Sequence, residues 1–243
     1  MRTLKVISAL LSYPTEELMA AGPELKAVLE AEAVLPAAQR RAICALIDGL
    51  RSGDLLDLQE RYLLLFDRTR SLSLHLFEHV HGESRDRGQA MVDLIKLYED
   101  GGYTPTASEL PDFLPLFLEF ASTRPPAEAI ELVGQPGHVF AALRERLTKR
   151  SSPYAAVFQA LVSLAEVELD EAALAALLAE PDPEPDDLEA LDAAWEEEEV
   201  TFGPTASSCG TDGLAAKLRA AGRPAAGVAV PRRPPTPVTM SQR

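Results

Sequence analysis

Three of the chain's four histidines fall within seven residues, at His75, His79 and His81, among Glu78, Glu83 and Asp86 and the arginines Arg68, Arg85 and Arg87. His75-Leu76-Phe77-Glu78-His79 fits the H-x-x-E-H pattern, in which two imidazoles one helical turn apart hold zinc and a carboxylate activates its water. Taken literally this is a metallopeptidase, and His81 adds a further ligand for a metal site without catalysis. Three fixed residues are a weak signal, and such a site needs a third protein ligand from elsewhere. The competing reading is half-buried histidines hydrogen-bonding Glu78, Asp67 or backbone groups, beside a solvated, self-paired charge run at 85–87.

These residues must be positioned by helices. A helix over 72–81 places Leu72, Leu76, Phe77 and Val80 on one arc and His75, Glu78 and His79 on the other, so that the polar trio projects together. Upstream, Leu4, Ile7, Leu10 and Leu11 recur at helical spacing up to Tyr13-Pro14. Thr15 caps a second helix, which Gly22-Pro23 breaks or kinks. Stripes at Ile43, Leu46, Ile47 and Leu50, and from Asp54 to Phe66, give two more helices. Residues 85–100 follow, with Met91, Leu94, Ile95 and Tyr98 on one face and Gly101-Gly102 as the stop. Gly88 inside that helix costs about 1 kcal/mol against alanine, which suggests close approach by a neighbouring helix or by a partner's backbone. Further helices are expected over 112–122, 126–133, 136–150, 153–167 and 170–180. The fold class is all-α, a single multi-helix bundle over 1–180. An acidic, Pro-rich linker with a short helix around Trp195 follows over 181–204, and a tail over 205–243 is expected to be disordered.

Composition narrows the function. Thirty-eight acidic against twenty-three basic side chains give a net charge of -15, a field that repels nucleic-acid phosphates and anionic lipid headgroups. Cys44 and Cys209 lack metal-site or disulfide-framework spacing. No run approaches the roughly 20 apolar residues of a bilayer span, and no cleavable leader is evident at Met1–Tyr13. The expectation is a cytoplasmic protein without stable membrane insertion.

The stretch Leu65-Phe66-Asp67-Arg68 and then Leu74 to Leu94, reading LHLFEHVHGESRDRGQAMVDL, closely resembles the hallmark segment of the nitrate reductase molybdenum-cofactor assembly (delta subunit) chaperones. Glu109-Leu110-Pro111-Asp112-Phe113-Leu114-Pro115-Leu116, the opening Leu10-Leu11-Ser12-Tyr13-Pro14 and Trp195-Glu196-Glu197 extend the likeness over about residues 1–203. The resemblance implies an all-helical member of the redox-enzyme maturation group, not an enzyme and needing no metal or cofactor of its own. Its implied partner is the nitrate reductase catalytic (alpha) subunit, including that subunit's N-terminal peptide, held until molybdenum cofactor is inserted and before membrane attachment. A generic helical adaptor and a zinc hydrolase are the alternatives.

Holding an amphipathic peptide reversibly calls for an apolar groove rimmed by charge. Tyr62, Phe66, Leu76, Phe77 and Met91 are the expected floor. Asp67, Glu78, Glu83 and Asp86 are the expected attraction for a basic peptide end, oriented by Arg68, Arg85 and Arg87. His75, His79 and His81 at the rim are expected to make affinity vary between about pH 6 and 8.

Overall fold

A computed structural model describes residues 1–80, 86–104, 109–165 and 170–184, with 187 and 189. Apolar residues at helical spacing set its elements. The helices are α1 (Arg2–Leu10), α2 (Glu16–Ala20), α3 (Gly22–Glu32), α4 (Ala37–Ser52), α5 (Leu55–Phe66) and α6 (Leu76–Val80). They continue with α7 (Asp86–Asp100), α8 (Leu114–Ser122), α9 (Pro126–Gly134), α10 (Gly137–Lys149), α11 (Ala155–Leu164) and α12 (Glu171–Ala179). A single 3-10 turn, Arg70–Leu72, lies between α5 and α6. Among the described residues the only β-type pairing is an isolated bridge between His75 and Phe113, so the all-α expectation holds.

Local signals fix several boundaries. The Thr15 hydroxyl accepts from the Leu18 amide, and Asp54 accepts from the Leu56 amide at 2.9 Å, each satisfying an orphan donor of a first turn. Gly22-Pro23 divides the expected second helix into α2 and α3, with the proline in the first turn of α3, where its missing N–H is harmless. Gly102 adopts φ +85° just beyond α7, the left-handed conformation that glycine takes without a Cβ penalty.

The core is one continuous apolar cluster. α1, with Leu4, Ile7 and Leu10 buried, packs against α8 and α3, and α4 bridges α3 and α11. α10 packs against both α11 and α12. The Met1 ammonium donates to the Ser122 carbonyl at 2.8 Å, and buried Ser8 donates to the Pro115 carbonyl at 2.6 Å, so α1 is tied to both ends of α8. Short connections alone would have paired α1 with its sequence neighbours; burial of its apolar face selects the more distant α8. The acidic helix around Trp195 and the tail from 205 lie outside the described residues.

The two ends of α7 differ in packing. A Cβ on Gly101 would lie 2.6 Å from the Phe120 ring, whereas one on Gly88 meets nothing within 4 Å. The expected close neighbour at Gly88 is therefore absent within the described fold. Gly101→Ala is expected to lower stability by about 1–3 kcal/mol through overpacking. Gly88→Ala is expected to raise it by about 0.5–1 kcal/mol. Urea unfolding reads both as shifts of midpoint, with opposite sign and unchanged slope.

Candidate functional site

α5 supplies one wall of a groove. Its 3.6-residue period turns Leu58, Tyr62, Leu65 and Phe66 inward and leaves Leu63 exposed on the flank. The Tyr62 hydroxyl donates to the Leu11 carbonyl at 2.8 Å, and burial pushes its phenol well above the ordinary range. Tyr13, Tyr62, Phe66 and Tyr154 form a chain of ring contacts with centroids 5.1–5.6 Å apart. Edge-to-face pairs of this kind hold rings in fixed orientation.

The second wall is residues 69–78, where the helix expected from residue 72 does not form until Leu76. After the 3-10 turn the chain extends at Leu74 and His75, which pair with the segment at Asp112–Leu114. The Leu114 amide donates to the Leu74 carbonyl at 2.8 Å, and the Leu76 amide donates to the Asp112 carbonyl at 3.1 Å. Helix begins only at Leu76. Fully buried Asp112 organises this junction: one carboxylate oxygen accepts from the Phe77 amide at 3.0 Å, at the open end of α6, and the other lies 3.3 Å from His75 Nδ1.

The histidines consequently part company. His79 is turned into the core, where its Nε2 donates to the Ser73 carbonyl at 2.8 Å; a carbonyl only accepts, so the neutral ring carries its proton on Nε2. Burial holds its pKa below the ordinary 6.5. His75 remains partly exposed at the groove, stacked obliquely on Phe113 at 5.4 Å, and its hydrogen bond with Asp112 raises its pKa. One shared arc for His75, Glu78 and His79 is thus incorrect, because residue 75 precedes the helix and is fixed by a segment 37 positions later. The two rings are committed to different partners, and they do not form the facing pair that the zinc pattern requires. Among the described residues no group of three or more His, Cys, Asp or Glu side chains could hold a metal ion.

Between the walls lies a groove of about 650 Å³. Tyr62, Leu63, Phe66 and Asp67 form one side and Ser73, Leu74, His75 and Glu78 the other, with Glu109 and Phe113 at the rim. An adjoining hollow of about 450 Å³, lined by Leu56, Gln59, Leu64 and Arg68, shares Tyr13, Leu63 and Asp67 with it. Of the expected floor, Tyr62 and Phe66 face the groove. Leu76 and Phe77 are core residues behind its wall, and Met91 packs partly buried against the core; none of these three lines the groove. Glu78 pairs with Arg87 at 3.3 Å, Asp86 is exposed in the first turn of α7, and His81, Glu83 and Arg85 lie outside the described residues. Asp112 and Glu109 were missed as site residues; both sit in the ELPDFLPL stretch, whose only sequence signal was its likeness to the family.

The model of the nitrate reductase delta subunit family matches residues 32–160, which span α5, the 3-10 turn, Asp112 and both groove walls. The chain is 42% identical over 216 residues to the nitrate reductase molybdenum cofactor assembly chaperone NarJ of Escherichia coli K12, covering 89% of this chain and 91% of that one. The chain belongs to the nitrate reductase delta subunit family. Two further relatives in that family are described as probable chaperones of the same kind. NarW of E. coli K12 is 40% identical, covering 83% of this chain and 84% of its own, and NarJ of Bacillus subtilis is 32% identical, covering 68% and 88%. The family match also takes in α10, whose side chains support the second wall from behind.

The two histidines act on stability with opposite signs. His75 binds its proton more tightly folded than unfolded, so its contribution is complete below about 6.5 and is lost as pH rises through its raised folded value. His79 binds its proton less tightly folded, so its contribution is present above about 6.5 and is lost as pH falls towards its lowered value. Imidazole titration by NMR is expected to place the His75 midpoint above 6.5 and the His79 midpoint below it. Asp112→Asn should bring the His75 midpoint down and cost about 1–3 kcal/mol, since the replacement amide loses the charge and misplaces a donor among buried groups. A His75 midpoint unmoved by that substitution would mean that Asp112 does not raise it.

Proposed function

We propose that this chain is a system-specific assembly chaperone for respiratory nitrate reductase. It binds the immature catalytic subunit, including its N-terminal segment, and keeps it competent for molybdenum cofactor insertion before membrane attachment, in the cytoplasm. The observation that carries this reading is the 42% identity, across nearly the full length of both chains, to the E. coli protein named for that task. No helix among the described residues is long and apolar enough to cross a membrane, which is compatible with a chaperone that meets its partner before attachment.

The groove suits the peptide part of this role. Its aromatic floor offers apolar area for the i, i+3, i+4 face of an amphipathic helix, and the adjoining hollow beyond Tyr13 and Leu63 takes a further turn. Asp67, Glu78 and Glu109 stand at the groove against Arg70 and His75, favouring a peptide with a basic face. Tyr13 and Leu63, both more than 40% exposed, are apolar surface that a partner would cover.

Used as bait in nitrate-respiring cells, the protein is expected to retain the nitrate reductase catalytic subunit in a form largely lacking molybdenum. Failure to retain it while it is expressed would overturn the proposal. In calorimetric titration with a synthetic peptide copying that subunit's N-terminal segment, Leu63→Glu should weaken binding about tenfold or more, by placing a charge in the apolar contact. Affinity should rise between about pH 6 and 8, because deprotonating His75 removes a positive charge from an acid-rimmed groove. A flat profile would take His75 off the contact surface.

A further inference from the structure

Arg146 of α10 and Arg150, immediately after it, connect α12 and the segment beyond it to the groove's second wall. Arg146, 1% exposed, donates from Nη1 to the Ser71 carbonyl at 2.7 Å and from Nη2 to the Leu177 carbonyl of α12. Arg150 forks the Asp182 carboxylate at 2.8 and 2.9 Å and also donates to the Pro183 carbonyl at 3.0 Å. Asp182 in turn accepts from the Ser71 hydroxyl at 2.6 Å. Ser71 is therefore held through its carbonyl by one arginine and through its hydroxyl by a carboxylate that the other arginine fixes. Thr69, Arg70 and Ser73, on either side of it, line the groove, whereas no residue of α12 or of 180–184 does.

We propose that α12 and residues 180–184 form a clasp that sets the groove's second wall, so that clasp docking and peptide binding are coupled and release of the clasp loosens the peptide. This rests on the reading of the groove as a peptide site. Three features support it. A bidentate arginine–carboxylate pair, with the arginine side chain only 7% exposed, fixes geometry as well as charge. The apolar docking of α12 is limited to one buried side chain, Leu177, with Leu174 and Leu178 only partly buried against the core, so the polar ties add to a modest apolar contact and the clasp opens at less cost than the core. A wall fixed before the ligand arrives also spares the ligand the ordering cost, which places the benefit in affinity. Because such coupling is reciprocal, a bound peptide must tighten the clasp by the factor by which the clasp tightens the peptide. Whatever draws Asp182 away from Arg150 then acts as a release signal from outside the groove.

The test uses the full chain and the same N-terminal peptide. Arg150→Gln is expected to weaken peptide binding roughly three- to tenfold, with Arg150→Lys in between because it keeps the charge and loses the fork. Hydrogen exchange supplies the readout that a merely structural role would not move: in the wild type, added peptide should slow exchange across 171–182, and in Arg150→Gln it should not. Without peptide, Arg150→Gln should speed exchange at the Leu72 and Ser73 amides, which close the 3-10 turn. Unchanged affinity in a folded Arg150→Gln protein, or α12 exchange indifferent to bound peptide, overturns the coupling. Unchanged exchange at Leu72 and Ser73 overturns the clasp itself. Absence of peptide binding by the wild type instead overturns the groove reading, and leaves the clasp to be judged on those two amides alone.

Discussion

A single buried carboxylate, that of Asp112, decides the shape of the groove. Removed from water, it must find donors, and it finds them in the Phe77 amide and the His75 ring. That requirement stops helix from running back through residues 73–75 and opens the chain into a short extended pairing with 112–114. It also turns His75 outward while His79 points in. The groove exists because α5 faces an extended segment with its own hydrogen bonds elsewhere, and not a second helix that would pack flush against it.

The same face illustrates how a chain can present apolar surface without uncontrolled association. Phe66 and Tyr62 are almost fully covered, while the more exposed Leu63 and Tyr13 are interspersed with Asp67, Glu60 and Arg68. Charges set around a small apolar strip raise the cost of burying it against an arbitrary partner and leave a suitably charged one favoured. A chain with net charge -15 adds long-range repulsion between copies.

Much of the architecture was legible because local physics dominates it. The apolar stripes of α1, α4, α5 and α7, the caps at Thr15 and Asp54 and the stops at Gly53 and Gly102 all depend on neighbours within four residues, and helix ends fell within a few positions of expectation. The structure also brings Tyr62, Phe66, Asp67, His75 and Glu78 together along one groove. What was illegible depends on distant partners. Periodicity cannot register that residues 74–76 bond to 112–114, so it continued a helix through His75 and assigned His79 to the wrong side. Nor could it distinguish Leu76 and Phe77 as core from the same residues as groove floor, since both roles demand large apolar side chains. The sequence analysis singled out neither Arg146 nor Arg150; only the carbonyls of Ser71 and Leu177, 75 and 31 positions away, give Arg146 its role.

The distance along the chain between the parts of the second wall has a consequence for how the protein is made. α5 leaves the ribosome early, yet the facing segment has neither its carboxylate anchor until Asp112 is synthesised nor its arginine ties until Arg146, Arg150 and Asp182 follow. At about 5–20 residues per second, the stretch from Phe66 to Asp182 takes roughly 6–23 s to appear. Throughout that interval the nascent chain carries its aromatic residues but no finished groove. The groove is thus completed only after Asp182 has emerged, when both of its walls have their ties.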